Sequence, residues 1–152
     1  MSHAKALHRR TEIRKPLVAL LLACCLAALA SNARAGTLYE DLGGNDGVVG
    51  VVDQFLWNLA DDEHVSHYFV ETNLERFRSK LIEYICVKAE GPCTYTGDSM
   101  ERTHAHMGVT VTDFNVTVEA LIHAMESQHI PTGVQNRLLK VLAPDYATVV
   151  QE

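Results

Sequence analysis

Six histidines and two cysteines lie beyond residue 35, and their spacing decides what chemistry they could carry. The histidines are His64, His67, His104, His106, His123 and His129. They form no His-Glu-x-x-His pair, and no EF-hand loop or Cys–His zinc set occurs, so the common protein-only metal sites are excluded. No Gly-x-Ser-x-Gly elbow, P-loop or dinucleotide fingerprint is present either. Cys86 and Cys93 leave two readings open, a disulfide or a pair of reduced thiols, one of them buried on a helix. What remains is a scheme that uses one histidine.

His104 is the candidate on geometry. On a helix it lies four residues after Met100 and three before Met107, so the three share one apolar face. His106, two positions on, is rotated by about 200° and faces away. Two readings of that face stand. One is a hydrogen-bonded core histidine. The other is an imidazole that holds the iron of a haem, with thioethers against the ring.

The elements that must position such a residue are helical throughout. Val48, Val52, Phe55, Leu56 and Leu59 make one helix face, and the acidic stretch Asp61-Asp62-Glu63 breaks it. Asn73 caps a second stripe, Leu74, Phe77, Leu81, Tyr84 and Ile85, which Glu90-Gly91-Pro92 ends. Residues 91–98 read as a loop. A short helix is predicted from Ser99 to about Met107, closed by Gly108. Thr110-Val111-Thr112-Asp113 has the form of a capping box before the stripe Phe114, Val118, Leu121, Ile122 and Met125. Pro131 starts the last helix, with Val134, Leu138, Val141 and Leu142 on one face, and Pro144 should kink or end it. No segment alternates with period two. The fold class is all-α.

The first 35 residues differ from the rest. Lys5, Arg9, Arg10, Arg14 and Lys15 precede an apolar run from Leu17 to Ala30, followed by Ala33-Arg34-Ala35. That order is a secretory signal peptide, and the run is shorter than the ~20 residues that span a bilayer as a helix. The expected division is a leader over 1–35 and one domain over 36–152, exported to the periplasm. A retained membrane anchor is one alternative. Leu21-Leu22-Ala23-Cys24 offers another, processing to a lipid anchor at Cys24 with the domain facing the periplasm. Residues 36–152 hold 7 basic and 18 acidic residues, a net charge of −11. Such a surface repels phosphate backbones, so no nucleic-acid partner is expected.

Residues from about Leu38 to Val150 resemble the group I truncated haemoglobins. Leu38-Tyr39-Glu40-Asp41-Leu42-Gly43-Gly44 is similar to that family's short first helix and glycine turn. Phe55 and Ala60-Asp61-Asp62 resemble the end of its B helix, and Tyr68-Phe69 the aromatic pair at the haem edge. Tyr95-Thr96-Gly97 resembles its second glycine motif, and Met100 to Val109 its proximal-histidine segment. Each match is weak alone, but five in register are specific. The resemblance implies a two-on-two helical sandwich around haem b, with His104 as the iron ligand. The residues it places around the cofactor are Leu56, Tyr68, Phe69, Phe77, Lys80, Leu81, Tyr84, Ile85, Met100, His104, Met107, Val109 and Phe114.

The gas side departs from the best-known family pattern. A Tyr on the B helix and a Gln on the E helix hydrogen-bond oxygen there, whereas the matching residues here are Leu56 and Leu81, with Phe77 one turn earlier. Oxygen would lose charge-assisted bonds worth roughly 1.5–3 kcal/mol each, unless Tyr84 or a water donates from another direction. Lys80 matches a position where some truncated globins supply an internal iron ligand; otherwise it extends outward to a propionate or to solvent. The expected function is reversible binding of oxygen, nitric oxide or carbon monoxide. Nitric oxide dioxygenation is the enzymatic alternative, and it would need an external reductase because the chain has no flavin or nicotinamide module. A haem-free helical interaction domain is the third.

Overall fold

The structure, a computed structural model, describes residues 36–151. The expected leader and Cys24 lie outside the described residues. Seven helices follow in order: α1 Leu38–Asp41, α2 Gly44–Asp61, α3 Leu74–Lys88, α4 Met100–His104, α5 Val111–Ser127, α6 Thr132–Leu142 and α7 Tyr146–Val149. Short 3₁₀ turns sit at Ser66–Phe69 and Ala143–Asp145. Among the described residues there is no strand, and no helix is long and apolar enough to cross a membrane.

The helix starts follow local chemistry. Thr37 and Glu40 form a reciprocal capping box at α1, and Thr110 and Asp113 form the expected one at α5. Asn73 Oδ1 accepts from the Arg76 N–H at 2.9 Å to open α3. Pro131 precedes α6, and the helix ends at Leu142, two residues before Pro144. The glycine turn between α1 and α2 depends on Gly43, whose φ of +96° is costly for any side chain. Gly47 is required for a different reason, since a Cβ there would lie 1.8 Å from the Leu42 carbonyl oxygen.

α2 packs against α5 and α3, and these three helices supply most of the core. Val48, Val51, Val52, Ile85, Ala124 and Met125 are all closed to solvent there. Leu38 and Leu42 bring α1 onto this core, and Leu138 brings α6. α4 is built differently. None of its residues is buried, and its main neighbour is α7.

Candidate functional site

His104 sits at the last position of α4. Ser99 caps the helix start, its Oγ accepting from the Arg102 N–H at 3.3 Å. The His104 ring Nδ1 lies 2.8 Å from the Met100 carbonyl oxygen. A carbonyl can only accept, so Nδ1 must carry the proton and donate. The lone pair is then on Nε2, the nitrogen free to bind a metal.

The predicted helix to Met107 is corrected here. α4 stops at His104, because Ala105 turns extended, with ψ 128°, and His106 and Gly108 both adopt φ +67°. A left-handed residue cannot continue a right-handed helix. Met107 therefore belongs to the turn, its N–H donating to the His104 carbonyl at 3.1 Å, and does not occupy a third position on one helical face. Met100 and Met107 are both half-buried, and His106 is exposed. Val109 is buried just after the turn. Phe114, in the first turn of α5, meets Tyr146 edge-on at 5.0 Å.

α2 and α3 form an apolar wall. Leu56 and Leu81 pack on the core while remaining half-buried. Phe77 stacks on Phe69 at 5.3 Å. Leu56, Phe69 and Phe77 line a cavity of about 440 Å³ between α2 and α3, rimmed by Trp57, Leu74 and an Asp53–Arg78 ion pair. Arg78 Nε and Nη2 donate to Asp53 at 2.5 and 2.9 Å, and the guanidinium holds that carboxyl below its usual range. The Tyr68 hydroxyl donates to Asp113 at 2.8 Å. Asp113 also accepts from the Thr110 N–H and hydroxyl, and these bonds lower its pKa. The capping carboxylate of α5 thus fixes the 3₁₀ turn that carries Phe69.

The remaining expected residues have other partners. Lys80 Nζ donates to Glu83 at 2.8 Å and also to the Thr96 hydroxyl. Glu83 accepts in addition from the Thr96 N–H and hydroxyl, and Lys80 and Thr96 together bring its pKa to about 2. The Tyr84 hydroxyl donates to Asp145 at 2.5 Å, while Lys88 reaches the same carboxylate at 3.0 Å. Burial, and then Asp145, push the Tyr84 phenol far above its ordinary value. Its proton is committed to Asp145, so the alternative of Tyr84 as a gas-facing donor finds no support in this arrangement. Ile85 is fully buried in the core.

Cys86 and Cys93 are joined in a disulfide, Cα to Cα 6.0 Å, which ties the end of α3 to the loop leading to α4. Asp145 and Gln151 were not expected from sequence. Their contacts cross 61 and 47 positions, and no local pattern marks them.

The donor set suits a haem. It offers one imidazole whose tautomer leaves Nε2 open, thioethers at Met100 and Met107, and aromatic and aliphatic side chains that a flat apolar ring would cover. The described residues contain no cluster of three or more His, Cys, Asp or Glu able to hold a metal ion by themselves.

Comparison with known proteins agrees. The family model "Bacterial-like globin" matches residues 37–150. The group 1 truncated hemoglobin of Mycolicibacterium paratuberculosis is 29% identical over 113 residues, 74% of this chain and 83% of that protein. The crystal structure of the truncated hemoglobin from Tetrahymena pyriformis in its Fe(III) form superposes with a TM-score of 0.74. It is 24% identical and covers 77% of this chain and all of the other. The 2/2 hemoglobin from Synechococcus sp. in the cyanomet state gives 0.72 at 21% identity, with 77% and 100% covered.

Proposed function

Because the chain belongs to the bacterial-like globin family and has haem as its cofactor, we propose that it is a gas-binding truncated haemoglobin with His104 as the iron ligand. The hydrogen bond from His104 Nδ1 to the Met100 carbonyl carries this reading, since it presents Nε2 as a lone-pair donor. His104 would hold the haem through Nε2, and the bound haem would supply the chemistry of binding a diatomic gas. Met100 lies one helical turn before His104 and Met107 in the turn after it, and both are half-buried. Phe77, Leu81 and Leu56 offer the gas no hydrogen-bond donor. Oxygen gains least on such a wall, whereas ligands that depend little on charge-assisted bonds lose little. Lys80 Nζ is engaged by Glu83 and the Thr96 hydroxyl, and this reading gives it no role at the iron.

Residues 1–35 act as an export leader in this reading, with the domain delivered to the periplasm. The basic–apolar–Ala33-Arg34-Ala35 order supports it, and so does the disulfide, which suits an oxidising compartment. Intact mass of the exported form tests the leader: a chain starting at Gly36 is expected, and one starting at a lipid-modified Cys24 would replace the soluble form with an anchored one.

The ligand assignment is tested by reconstitution with haemin. Wild type and His106→Ala should give the same spectrum. His104→Gly should lose stable haem and regain it when imidazole is added. A normal spectrum in His104→Gly without imidazole would overturn the assignment.

A further inference from the structure

α4 carries the proposed iron ligand and is poorly equipped to hold it still. It has five residues, far below the length at which a helix is stable on its own, and none of them is buried. Directly after His104 the chain passes through two residues at φ +67°. Neither helix propensity nor core packing fixes the end of this segment.

One residue outside the segment touches it at three points. Gln151 Nε2 donates to the His104 carbonyl at 2.6 Å. Gln151 Oε1 accepts from the Gly108 N–H at 3.1 Å. The Gln151 backbone N–H donates to the Val109 carbonyl at 3.1 Å. The carboxamide closes both ends of the His104–Gly108 turn, and a carboxamide suits that task because it donates and accepts at once. A glutamate at 151 would lose the donor and set a carboxylate against the His104 carbonyl. The His104 carbonyl also accepts from Met107, so both of its lone pairs are used. Gln151 is itself anchored: Val149 is buried two residues before it, and Tyr146 packs on Phe114.

We propose that Gln151 is a positioning residue for His104, holding the turn that follows α4 and through it the orientation of the imidazole. The proposal rests on His104 being the iron ligand. It predicts that the ligand's bond to the metal, and the retention of the cofactor, depend on a residue that touches neither.

The test uses the full chain with Gln151→Ala and Gln151→Glu. Three measurements apply: haemin transfer to excess apomyoglobin, the iron–histidine stretching band of the five-coordinate ferrous protein, and hydrogen exchange at the Gly108 amide in the haem-free chain. Gln151→Ala should release haem about five- to tenfold faster, the low end for two exposed hydrogen bonds, and Gln151→Glu, which loses one of them, by a smaller factor, both with a shifted or broadened band. Gln151→Ala should lose protection at Gly108, while Gln151→Glu, which keeps an acceptor there, should retain most of it. Helix content by circular dichroism should stay at the wild-type value. Wild-type haem release, band and Gly108 protection in Gln151→Ala would overturn the positioning role alone. A wild-type protein with no iron–histidine band, together with full haem retention in His104→Gly, would overturn the ligand assignment and this proposal with it.

Discussion

The wall made by α2 and α3 and the segment that carries His104 stand close in function, yet different forces hold them. Close packing holds the first: Val48, Val52, Phe55, Leu59 and Ile85 are buried in one core, and its polar bonds, such as Asp53–Arg78, lie at the rim. The second is held by hydrogen bonds at single points, from Ser99, Met100 and Gln151, and buries nothing within its helix. Packing is cooperative and tolerates no missing volume. Tethers act one at a time, and each can be adjusted without melting the domain. Under the proposed function, keeping the two apart would let the protein tune the bond to its cofactor without disturbing the packed wall.

The sharpest way to break this contrast is to remove volume from the wall. Ile85→Ala should cost about 2–5 kcal/mol of unfolding free energy, the range for truncating a closed core side chain. Urea denaturation of the haem-free protein measures it. A cost below about 1 kcal/mol would show that α3 is no better packed than α4.

A smaller effect comes from giving the wall one polar group. Leu81→Gln places a donor where the fold supplies none, and should slow oxygen release roughly ten- to a hundredfold, equal to about 1.5–3 kcal/mol for a bond to a charged partner. Stopped-flow release by ligand replacement reads this directly. Unchanged release would mean that position 81 does not face the gas.

The disulfide joins the two regions, so breaking it tests their independence. Cys86 and Cys93 enclose a short loop, for which the chain-entropy model gives about 2–3 kcal/mol. Cys93→Ser, or reduction before thermal unfolding, should lower stability by up to that amount and leave the His104 assignment intact. Thiol counting on denatured, unreduced protein should find neither cysteine free.

The mildest lever is acid. Glu83 has its pKa lowered from 4.5 to about 2 by Lys80 and Thr96. A depressed carboxylate contributes stability that is present above its unfolded value and lost as pH falls through its folded one. The contribution therefore fades between about pH 4.5 and 2, and Glu83→Gln should flatten the stability profile there. The pair is partly exposed, so the change should be small and reduced by salt.

What was legible in the sequence follows the same division. The stripes at Val48–Leu59 and Leu74–Ile85 and the Thr110–Asp113 box are local, and local rules find them. The end of α4 is not local. Helical spacing extends to Met107, and only the left-handed turn at His106, held from residue 151, cuts it short. Tyr84 shows the same limit. Its place on the α3 stripe was readable, but its hydroxyl is committed to Asp145, 61 positions away. Lys80 shows it too: its amine donates to Glu83 and to Thr96, sixteen positions away, a partner no helix pattern names.

Trp57 gives the α2–α3 wall an optical consequence. It is the one tryptophan in the chain, it is 73% exposed, and it stands at the rim of the cavity that Leu56, Phe69 and Phe77 line. Indole emission from this protein therefore originates at a single address. Haem is a strong energy-transfer acceptor, so its arrival should dim that emission and its departure restore it. The chain carries its own fluorophore for timing cofactor uptake, with no label attached.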